Sequence, residues 1–492
     1  MSPIDIIIVS GYLLTVVGVG VYAGRRDRTS DEFFVAGRQV PWWAVLGSLV
    51  ATEVSAATFL AVPGVGFSEN MNYLQMGIGS ILARFFVAGV FVAAFYRAGC
   101  VSIYEFLGQR FGPLSQKTGS FLFLLTRLLA SGVRLMIAAS GLSIILGIPL
   151  EWSIPGFVLL ALIYTGAGGI RAVIWTDCIQ AIVFISAGFA VLTYLLNTVG
   201  WEAFSSIASE AGRFEILRFT PVEEGFAAWF SHANVLWLAL GFGFIQTTAA
   251  LGTDQDLTQR LLAARSAQQA QRSLILSGFI AMPIAALFLM VGIGLFAYAQ
   301  TAEVQALLAL EGGNDAFPTF ISELAPAGLR GLLLAGVLAA AMSSLDSAMA
   351  ALSSSAIKDF IEPFRKEGPN AAPIRLSRAM TLVFALFLGL IAWLLGETGE
   401  EFLWLAFQVS SVTYGALLGL FLLGVSKQGS AMDRGNMIAA CIAVLLTGTF
   451  LVLIKVEVIG LAWTWLIVIG TGTTYFLASL FAFLSKKERL DP

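Results

Sequence analysis

The stretch Gly47-Ser-Leu-Val-Ala-Thr-Glu-Val-Ser-Ala-Ala-Thr58 places a glutamate, Glu53, in the middle of an otherwise apolar segment. An ionisable side chain in a membrane helix is costly and usually faces a cavity or a charged partner. The hydroxyl groups around Glu53 can satisfy backbone groups that a helix releases where it unwinds. We therefore predict that this segment crosses a membrane as an interrupted helix.

The composition of the whole chain also indicates a membrane protein. Of its 492 residues, 58% are hydrophobic and 12% are charged, and the mean hydropathy is +0.85. Soluble domains carry about 25% charged residues, so this chain has too little polar surface to cover a water-soluble globule. The net charge of −3 gives no indication of a nucleic-acid partner.

Apolar stretches long enough to cross a hydrocarbon core of roughly 30 Å recur along the chain. The first, Ile6 to Val21, lacks a basic region before it and a cleavage site after it, which predicts a retained helix. We predict an all-α membrane protein of about thirteen transmembrane helices, near 5–24, 42–62, 71–96, 119–146, 150–167, 173–197, 227–251, 273–299, 329–356, 376–396, 402–425, 435–455 and 459–484.

The charges between these spans predict the orientation. With the N-terminus outside, nearly all Lys and Arg residues between the spans fall on the cytoplasmic side, as the positive-inside rule requires. The exceptions are Arg213, Arg218, Arg330 and Lys455. We therefore predict a multi-pass protein of the cell (inner) membrane, with its C-terminus in the cytoplasm.

Four further ionisable residues lie within predicted spans. Arg84 is predicted to form a buried ion pair, and Arg127 to pair or to reach the cytoplasmic surface. Arg134 either pairs with Glu53 or another acid, or binds the carboxylate of a solute, since a guanidinium group suits both partners. Asp177 follows Trp-Thr near a helix start, so it is either an N-cap or a functional acid.

The segment Ala339-Ala-Ala-Met-Ser-Ser-Leu-Asp-Ser347 carries a face of small and hydroxyl side chains in the ninth span. Ala340, Ser343, Ser344 and Ser347 stand at positions i, i+3, i+4 and i+7, with Asp346 beside them. Small residues on a membrane helix often serve only close packing. Hydroxyls together with carbonyls from an unwound helix can instead coordinate sodium, and we predict this second role.

The chain resembles the sodium:solute symporter family over roughly residues 1–480. Four segments carry this resemblance. They lie after the first span, at the start of the sixth, after the seventh and in the ninth, and read Asp31-Glu-Phe-Phe-Val-Ala-Gly-Arg-Gln-Val-Pro-Trp-Trp43, Gly168-Gly-Ile-Arg-Ala-Val-Ile-Trp-Thr-Asp-Cys-Ile-Gln180, Asp256-Leu-Thr-Gln-Arg-Leu-Leu-Ala-Ala-Arg265 and Ala339 to Ser347.

The resemblance implies one transporter domain, 1–492, with a leucine-transporter-like core of two five-helix inverted repeats. These repeats would cover about 42–197 and 227–425, with an additional first helix at 5–24 and two additional helices at 435–484. It also implies sodium ligands at Ala51, Val54, Ala340, Ser343 and Ser344.

A second cation or proton site is implied at Asp177, Asp346 and Ser347, where the aspartate at 346 departs from the Ser or Thr of such members. The solute position in the family implies contacts from Glu53, Ser55, Thr58, Tyr73, Arg134 and Gln408. The polar pattern of the sugar-transporting members is missing, and the arginine in the fourth span favours a carboxylate.

These observations predict sodium-coupled symport of a small organic solute. With one histidine, His232, and no cluster of catalytic side chains, the chain is not expected to be an enzyme. Sodium as coupling ion is the only cofactor expected, and the only partners expected are solute, sodium and lipid. Proton coupling through Asp346 or Asp177, or a cation-permeable channel or sensor on the same fold, is the alternative.

Overall fold

The computed structural model describes residues 1–24, 34–55, 57–165, 169–221, 228–232, 235–300, 313, 315–364, 374–396, 402–426 and 432–488. The first half of the chain forms ten α-helices, which are α1 Pro3–Gly24, α2 Trp42–Glu53, α3 Val62–Ser68, α4 Leu74–Val87, α5 Ala93–Ala98, α6 Ile103–Phe111, α7 Pro113–Leu146, α8 Leu150–Thr165, α9 Ile170–Val199 and α10 Trp201–Glu210.

The second half forms ten more within the described residues. They are α11 Ala228–Ser231, α12 Leu236–Thr253, α13 Gln255–Leu262, α14 Ala267–Ala299, α15 Ala316–Thr319, α16 Leu329–Ser355, α17 Ile374–Leu395, α18 Phe402–Val425, α19 Asp433–Lys455 and α20 Trp465–Glu488. Short π-helical segments at Ala57–Ala61, Ala88–Val92, Phe320–Leu324 and Ala356–Ile361 adjoin α3, α4, α15 and α16.

The predicted membrane spans agree with these helices. Among the described residues, 10 helices are long and apolar enough to cross a membrane, and Trp42–Glu53 with Thr58–Ser68 adds one bent pair. Two shorter apolar helices, Leu150–Leu162 and Ser410–Val425, occupy the remaining two predicted positions. The all-α membrane fold is therefore confirmed. Some residues of the predicted spans lie outside the described part of the chain, namely 56, 166–167, 227 and 233–234. The same holds for residues 31–33 and 168 of the segments that resemble the family.

The ninth predicted span, α16, forms the centre of the protein. In its most apolar window 94% of the residues are buried, against 22–56% for the other nine long helices of the described chain. The hydroxyl face predicted on this helix is therefore surrounded by protein and not by lipid.

Two pairs of helices approach closely at glycines. A Cβ atom on Gly79 of α4 would collide with the carbonyl oxygen of Leu240 in α12, and one on Gly243 of α12 would collide with that of Met76. The same reciprocal contact joins α3 and α14, where Gly66 faces Leu289 and Gly292 faces Pro63. Glycine at such positions lets two helix backbones pack directly against each other.

The two glycine contacts hold equivalent places in the predicted inverted repeats. The broken second span and α12 would be the first helices of the two repeats, and α4 and α14 the second helices. Each contact thus joins the first helix of one repeat to the second helix of the other. This equivalence supports the predicted repeats, whose exact boundaries stay a prediction.

Gly79→Ala is expected to lower the free energy of unfolding by about 1–3 kcal/mol, because the added methyl group forces α4 away from α12. The measurement is thermal unfolding of the purified protein in detergent. Gly77→Ala is the matched control, since its Cβ would meet only Met282 Cγ at an ordinary 3.6 Å. Equal stability of the two variants would contradict the close packing.

Candidate cation and solute sites

The second span is interrupted where its sequence predicts an interruption. Helix α2 ends at Glu53, and the next residue, Val54, leaves the helical region with φ −83° and ψ 80°. The chain resumes a helical path at Ala57, bent by 58° from α2. The predicted ligands Ala51 and Val54 therefore lie at the end of α2, where backbone carbonyl groups lack their regular helical hydrogen-bond partners.

The hydroxyl face of α16 is linked to α2 through a carboxylate of α9. The Ser343 hydroxyl donates a hydrogen bond of 2.6 Å to Asp177 Oδ1 of α9. From α2, the Ser48 hydroxyl donates one of 2.5 Å to Asp177 Oδ2. One buried carboxylate thus joins α2, α9 and α16, and Ser343 points into the protein beside the interrupted helix.

The remaining predicted sodium ligands are also buried there. Ala51, Val54 and Ala340 are at most 2% exposed. The Ser344 hydroxyl donates to the Ala340 carbonyl at 3.2 Å, so these two oxygen ligands lie next to each other on α16.

Asp177 is not an N-cap, so that alternative was wrong. Helix α9 begins at Ile170, three residues earlier than predicted, with Gly169 as its N-cap. Asp177 therefore lies in the third turn, and its carboxylate binds side chains of other helices instead of its own backbone. The other residues of the second candidate site, Asp346 and Ser347, are each 1% exposed.

A row of ion pairs continues from Asp177. Arg260 of α13 lies 3.2 Å from Asp177 Oδ2 and 2.5 Å from Asp256 Oδ1. Asp256 also pairs with Arg127 of α7, which lies 3.4 Å from Asp254 Oδ2. We call these five side chains the charge ladder. All are at most 1% exposed, so Arg127 forms buried pairs and does not reach the cytoplasmic surface.

The ladder has hydroxyl partners at several points. Tyr414 of α18 donates a hydrogen bond of 2.5 Å to Asp254 Oδ2. Ser347 donates one of 3.3 Å to Asp256 Oδ2. These contacts satisfy part of the strong hydrogen-bonding demand of buried carboxylates.

Buried carboxylates and guanidinium groups lie close together around the candidate cation sites. The ladder and its immediate electrostatic neighbours hold four carboxylates and three guanidinium groups, which are Asp177, Asp254, Asp256, Asp346, Arg127, Arg134 and Arg260. Buried carboxylates in a region of low polarity need positively charged or hydrogen-bonding partners, and a bound cation can be one of them.

A cavity of about 230 Å³ lies on the other side of the ladder. Five of the six residues predicted to contact solute line it: Glu53, Ser55, Thr58, Tyr73 and Arg134. The sixth, Gln408, is not among its lining residues, but its neighbours Phe407 and Ser410 are. Sequence reasoning did not find the lining residues Ser80, Arg127, Gln246, Thr247 and Tyr414.

Glu53 and Arg84 form a two-point ion pair in the cavity wall. The Arg84 guanidinium nitrogens lie 2.5 Å and 3.1 Å from the two carboxylate oxygens of Glu53. The structure thus confirms the predicted ion pair of Arg84. Because Glu53 is already bound, the suggested pair between Glu53 and Arg134 was wrong. Among the described residues, none forms an ion pair with Arg134.

Three of the five ladder residues, Asp254, Asp256 and Arg260, were assigned no role from the sequence. Asp256 and Arg260 stand at i and i+4 on α13, a spacing that predicts a helical ion pair. Asp254 starts that helix by accepting the Asp256 backbone N–H at 2.9 Å. Both signals are local, and neither reveals that α13 is buried or that its side chains pair with Arg127 of α7 and Asp177 of α9.

Glu53→Gln and Arg84→Gln are each expected to lower the free energy of unfolding by on the order of 3 kcal/mol, since each leaves one buried charge without its partner. The double variant should lose much less than the sum of both. Thermal unfolding of the four proteins in a double-mutant cycle tests this, and additive losses would contradict a direct interaction.

The chain is similar to known sodium-coupled transporters over most of its length. The family model described as "Sodium:solute symporter family" matches residues 33–443. The sodium/glucose cotransporter of Vibrio parahaemolyticus is 28% identical over 452 residues, covering 86% of this chain and 81% of that protein. The sodium/sialic acid symporter SiaT of Proteus mirabilis is 30% identical over 455 residues, covering 90% and 89%.

Solved structures show the same fold. A sodium-coupled sialic acid symporter in a substrate-bound outward-open state superposes with a TM-score of 0.86, at 24% identity and 98% coverage of both chains. The nucleobase-cation-symport-1 family transporter Mhp1 superposes with a TM-score of 0.62, at 13% identity, covering 92% of this chain and 95% of that one. The protein therefore belongs to the sodium:solute symporter family and is a sodium-coupled membrane transporter, not an enzyme.

Proposed function

We propose that the protein imports a small solute bearing a carboxylate, together with sodium that enters from outside the cell. The observation that carries this proposal is the meeting of α2 and α16 at the buried carboxylate of Asp177. A cation bound between these helices contacts two elements at once. Its binding free energy therefore depends on their arrangement, which lets the ion favour one state of the transporter.

The proposed sodium site uses oxygen atoms on both sides of this contact. The carbonyl groups of Ala51 and Val54 come from the interrupted helix. The Ala340 carbonyl and the Ser343 and Ser344 hydroxyls come from α16. Support comes from the end of α2 at Glu53 and from the burial of the serine side chains, which are at most 3% exposed.

A second cation is proposed at Asp177, Asp346 and Ser347. The burial of the Asp177 and Asp346 carboxylates, which are each 1% exposed, supports a site for at least one positive charge. A proton on Asp177 or Asp346 would neutralise the same charge, so proton coupling is the alternative that experiments must separate from sodium coupling.

The solute site is proposed in the cavity, with Arg134 as the ligand of the carboxylate. Arg134 lines the cavity and forms no ion pair among the described residues, whereas the charge of Arg84 is compensated by Glu53. Ser55, Thr58 and Tyr73 offer hydrogen bonds to the rest of the solute, and Gln408 lies next to two lining residues. Relatives named for sialic acid and for monocarboxylates transport carboxylic acids, which supports this solute class.

Transport would proceed by alternating access. Sodium and solute bind from outside, the outer and inner gates exchange, and both are released into a cytoplasm that is poor in sodium. Each charge that moves down 100 mV supplies about 2.3 kcal/mol, and a tenfold gradient about 1.4 kcal/mol. One sodium ion and one singly charged anion move together without net charge, so a tenfold sodium gradient alone sustains about tenfold accumulation of the anion. A second sodium ion adds net charge to the step and lets the membrane potential contribute.

The proposed location is the cell (inner) membrane, with the N-terminus outside and the C-terminus in the cytoplasm. The distribution of Lys and Arg between the spans supports this orientation. The relatives from Vibrio and Proteus are bacterial, which supports an inner membrane. The glycine contacts support a core of two inverted repeats, with α1, α19 and α20 added outside it.

Ser343→Ala is expected to raise the sodium concentration for half-maximal uptake about tenfold or more, because the change removes a cation ligand and a hydrogen bond to Asp177. The measurement is solute uptake into proteoliposomes at fixed pH, with choline replacing sodium. Ser353→Ala is the matched control, since this buried serine of α16 donates to the Met349 carbonyl at 2.6 Å, far from the site.

Two results of this experiment would contradict the proposal. Unchanged sodium dependence in Ser343→Ala would overturn the site, and full accumulation in choline with an imposed pH gradient would favour proton coupling. Saturable accumulation against a solute gradient separates a symporter from a channel.

Arg134→Gln is expected to raise the half-saturating concentration of a carboxylate solute at least tenfold, because the change removes a charge-assisted contact. A thermal-shift screen of sialic acid, lactate, proline and glucose, with and without sodium, identifies the solute first. Ser80→Ala, which removes only a neutral group from the same cavity, should have a smaller effect. Equal effects of both variants would argue against a carboxylate ligand at Arg134.

A further inference from the structure

The charge ladder joins the proposed cation site to the solute cavity. At one end, Asp177 binds the Ser343 hydroxyl of the cation site. At the other end, Arg127 lines the cavity, as does Tyr414, the hydroxyl partner of Asp254. The charges alternate in sign along the row, so a change at one end alters the forces at the other.

Each of the three inner residues of the ladder binds two partners, and both partners carry the charge opposite to its own. Arg260 binds Asp177 and Asp256, and its Nε also donates to the Ser48 hydroxyl at 2.9 Å. Asp256 binds Arg260 and Arg127, and Arg127 binds Asp256 and Asp254. When one contact of such a shared group strengthens, its other contact weakens, and the low polarity of the interior makes these changes large.

We propose that sodium bound at Asp177, in the second of the two proposed cation sites, makes Arg127 available to the solute through this ladder. Sodium competes with Arg260 for the Asp177 carboxylate, so Arg260 binds Asp256 more strongly. Asp256 in turn binds Arg127 less strongly, and the Arg127 guanidinium adds positive charge to the cavity wall. Arg127, Asp256 and Arg260 are thus positioning residues that let sodium strengthen the binding of a carboxylate.

This inference rests on the proposed function but makes a claim of its own. Coupling between two ligands is reciprocal, so a solute anion at Arg127 should strengthen sodium binding by the same factor. With a merely structural ladder, sodium would act on the cavity only through the direct field of the ion, and this effect would not depend on Arg260.

The test measures the electrostatic potential of the cavity without a solute. Ser80→Cys places a thiol in the cavity wall by a nearly isosteric change. The full chain is purified in detergent and treated with 2-sulfonatoethyl methanethiosulfonate, which is anionic, or with 2-(trimethylammonium)ethyl methanethiosulfonate, which is cationic. Mass spectrometry of the peptide that carries position 80 gives both rates, and their ratio reports the local potential.

Replacing choline by sodium should raise the ratio of anionic to cationic rates about fivefold or more, the lower end of usual coupling between sites. Adding Arg260→Gln should remove most of this rise. Arg260→Lys keeps the positive charge but lacks the planar guanidinium group that can bind several partners at once, so this variant should also reduce the rise. It replaces Arg260→Gln in the experiment if the glutamine variant does not fold.

Asp359→Asn is the control for loss of a buried carboxylate outside the ladder. Asp359 is 1% exposed and accepts hydrogen bonds from Ser102, Ser120 and Gln116, so its replacement should leave the sodium effect intact. A full rise in a folded Arg260 variant, or no rise in the protein with intact Arg260, overturns the ladder mechanism. Solute uptake by the otherwise unchanged protein tests the proposed function separately. Sodium-driven uptake without a sodium-dependent rise in the labelling ratio would leave the proposed function intact and refute the ladder mechanism. If sodium drove no uptake, the proposed function and the ladder mechanism would both be refuted.

Discussion

The carboxylate of Asp177 holds together three helices that the chain supplies from distant positions. Ser48 comes from the interrupted second span, Ser343 from the central helix α16, and Asp177 itself from α9. Both hydroxyl groups donate to the carboxylate, and Arg260 adds a positive charge. Burying this acid is costly unless such partners compensate it, so the positions of α2, α9 and α16 depend on one another. A cation that enters this contact acts on all three.

The interior contains two kinds of contact, which are close backbone packing at glycines and ion pairs between buried side chains. The reciprocal glycine contacts of α4 with α12 and of α3 with α14 bring backbones together without side chains between them. Such contacts favour movement of each helix pair as a unit. The ladder, by contrast, consists of long side chains that divide their bonds between two partners, and it can redistribute those bonds without moving a helix. Close packing and buried charge therefore have different roles in the same fold.

The sequence predicted the spans and the interruption because both depend on local properties. The length of an apolar stretch determines whether it can cross the bilayer, and hydroxyl residues around Glu53 indicated where a helix can unwind. Partner choice between helices is not local. The sequence suggested Glu53 as a partner for Arg134 and named no partner for Arg84, and only the three-dimensional structure shows that Glu53 pairs with Arg84. Asp177 was ambiguous for a related reason, since an error of three residues in the start of α9 made it resemble a cap.

The assignment of Arg84 to Glu53 has a consequence for the solute. Because this pair is neutral as a whole, it lends the cavity hydrogen-bonding atoms but no net charge. Arg134 remains without an ion pair among the described residues, and Arg127 divides its charge between two aspartates. The cavity therefore combines one uncompensated guanidinium with a second whose charge depends on the state of the ladder. A neutral sugar would use neither of them, whereas a carboxylate would bind to the first and draw the second away from the aspartates. In the proposed mechanism, a preference for an anion and its dependence on sodium would have one electrostatic origin.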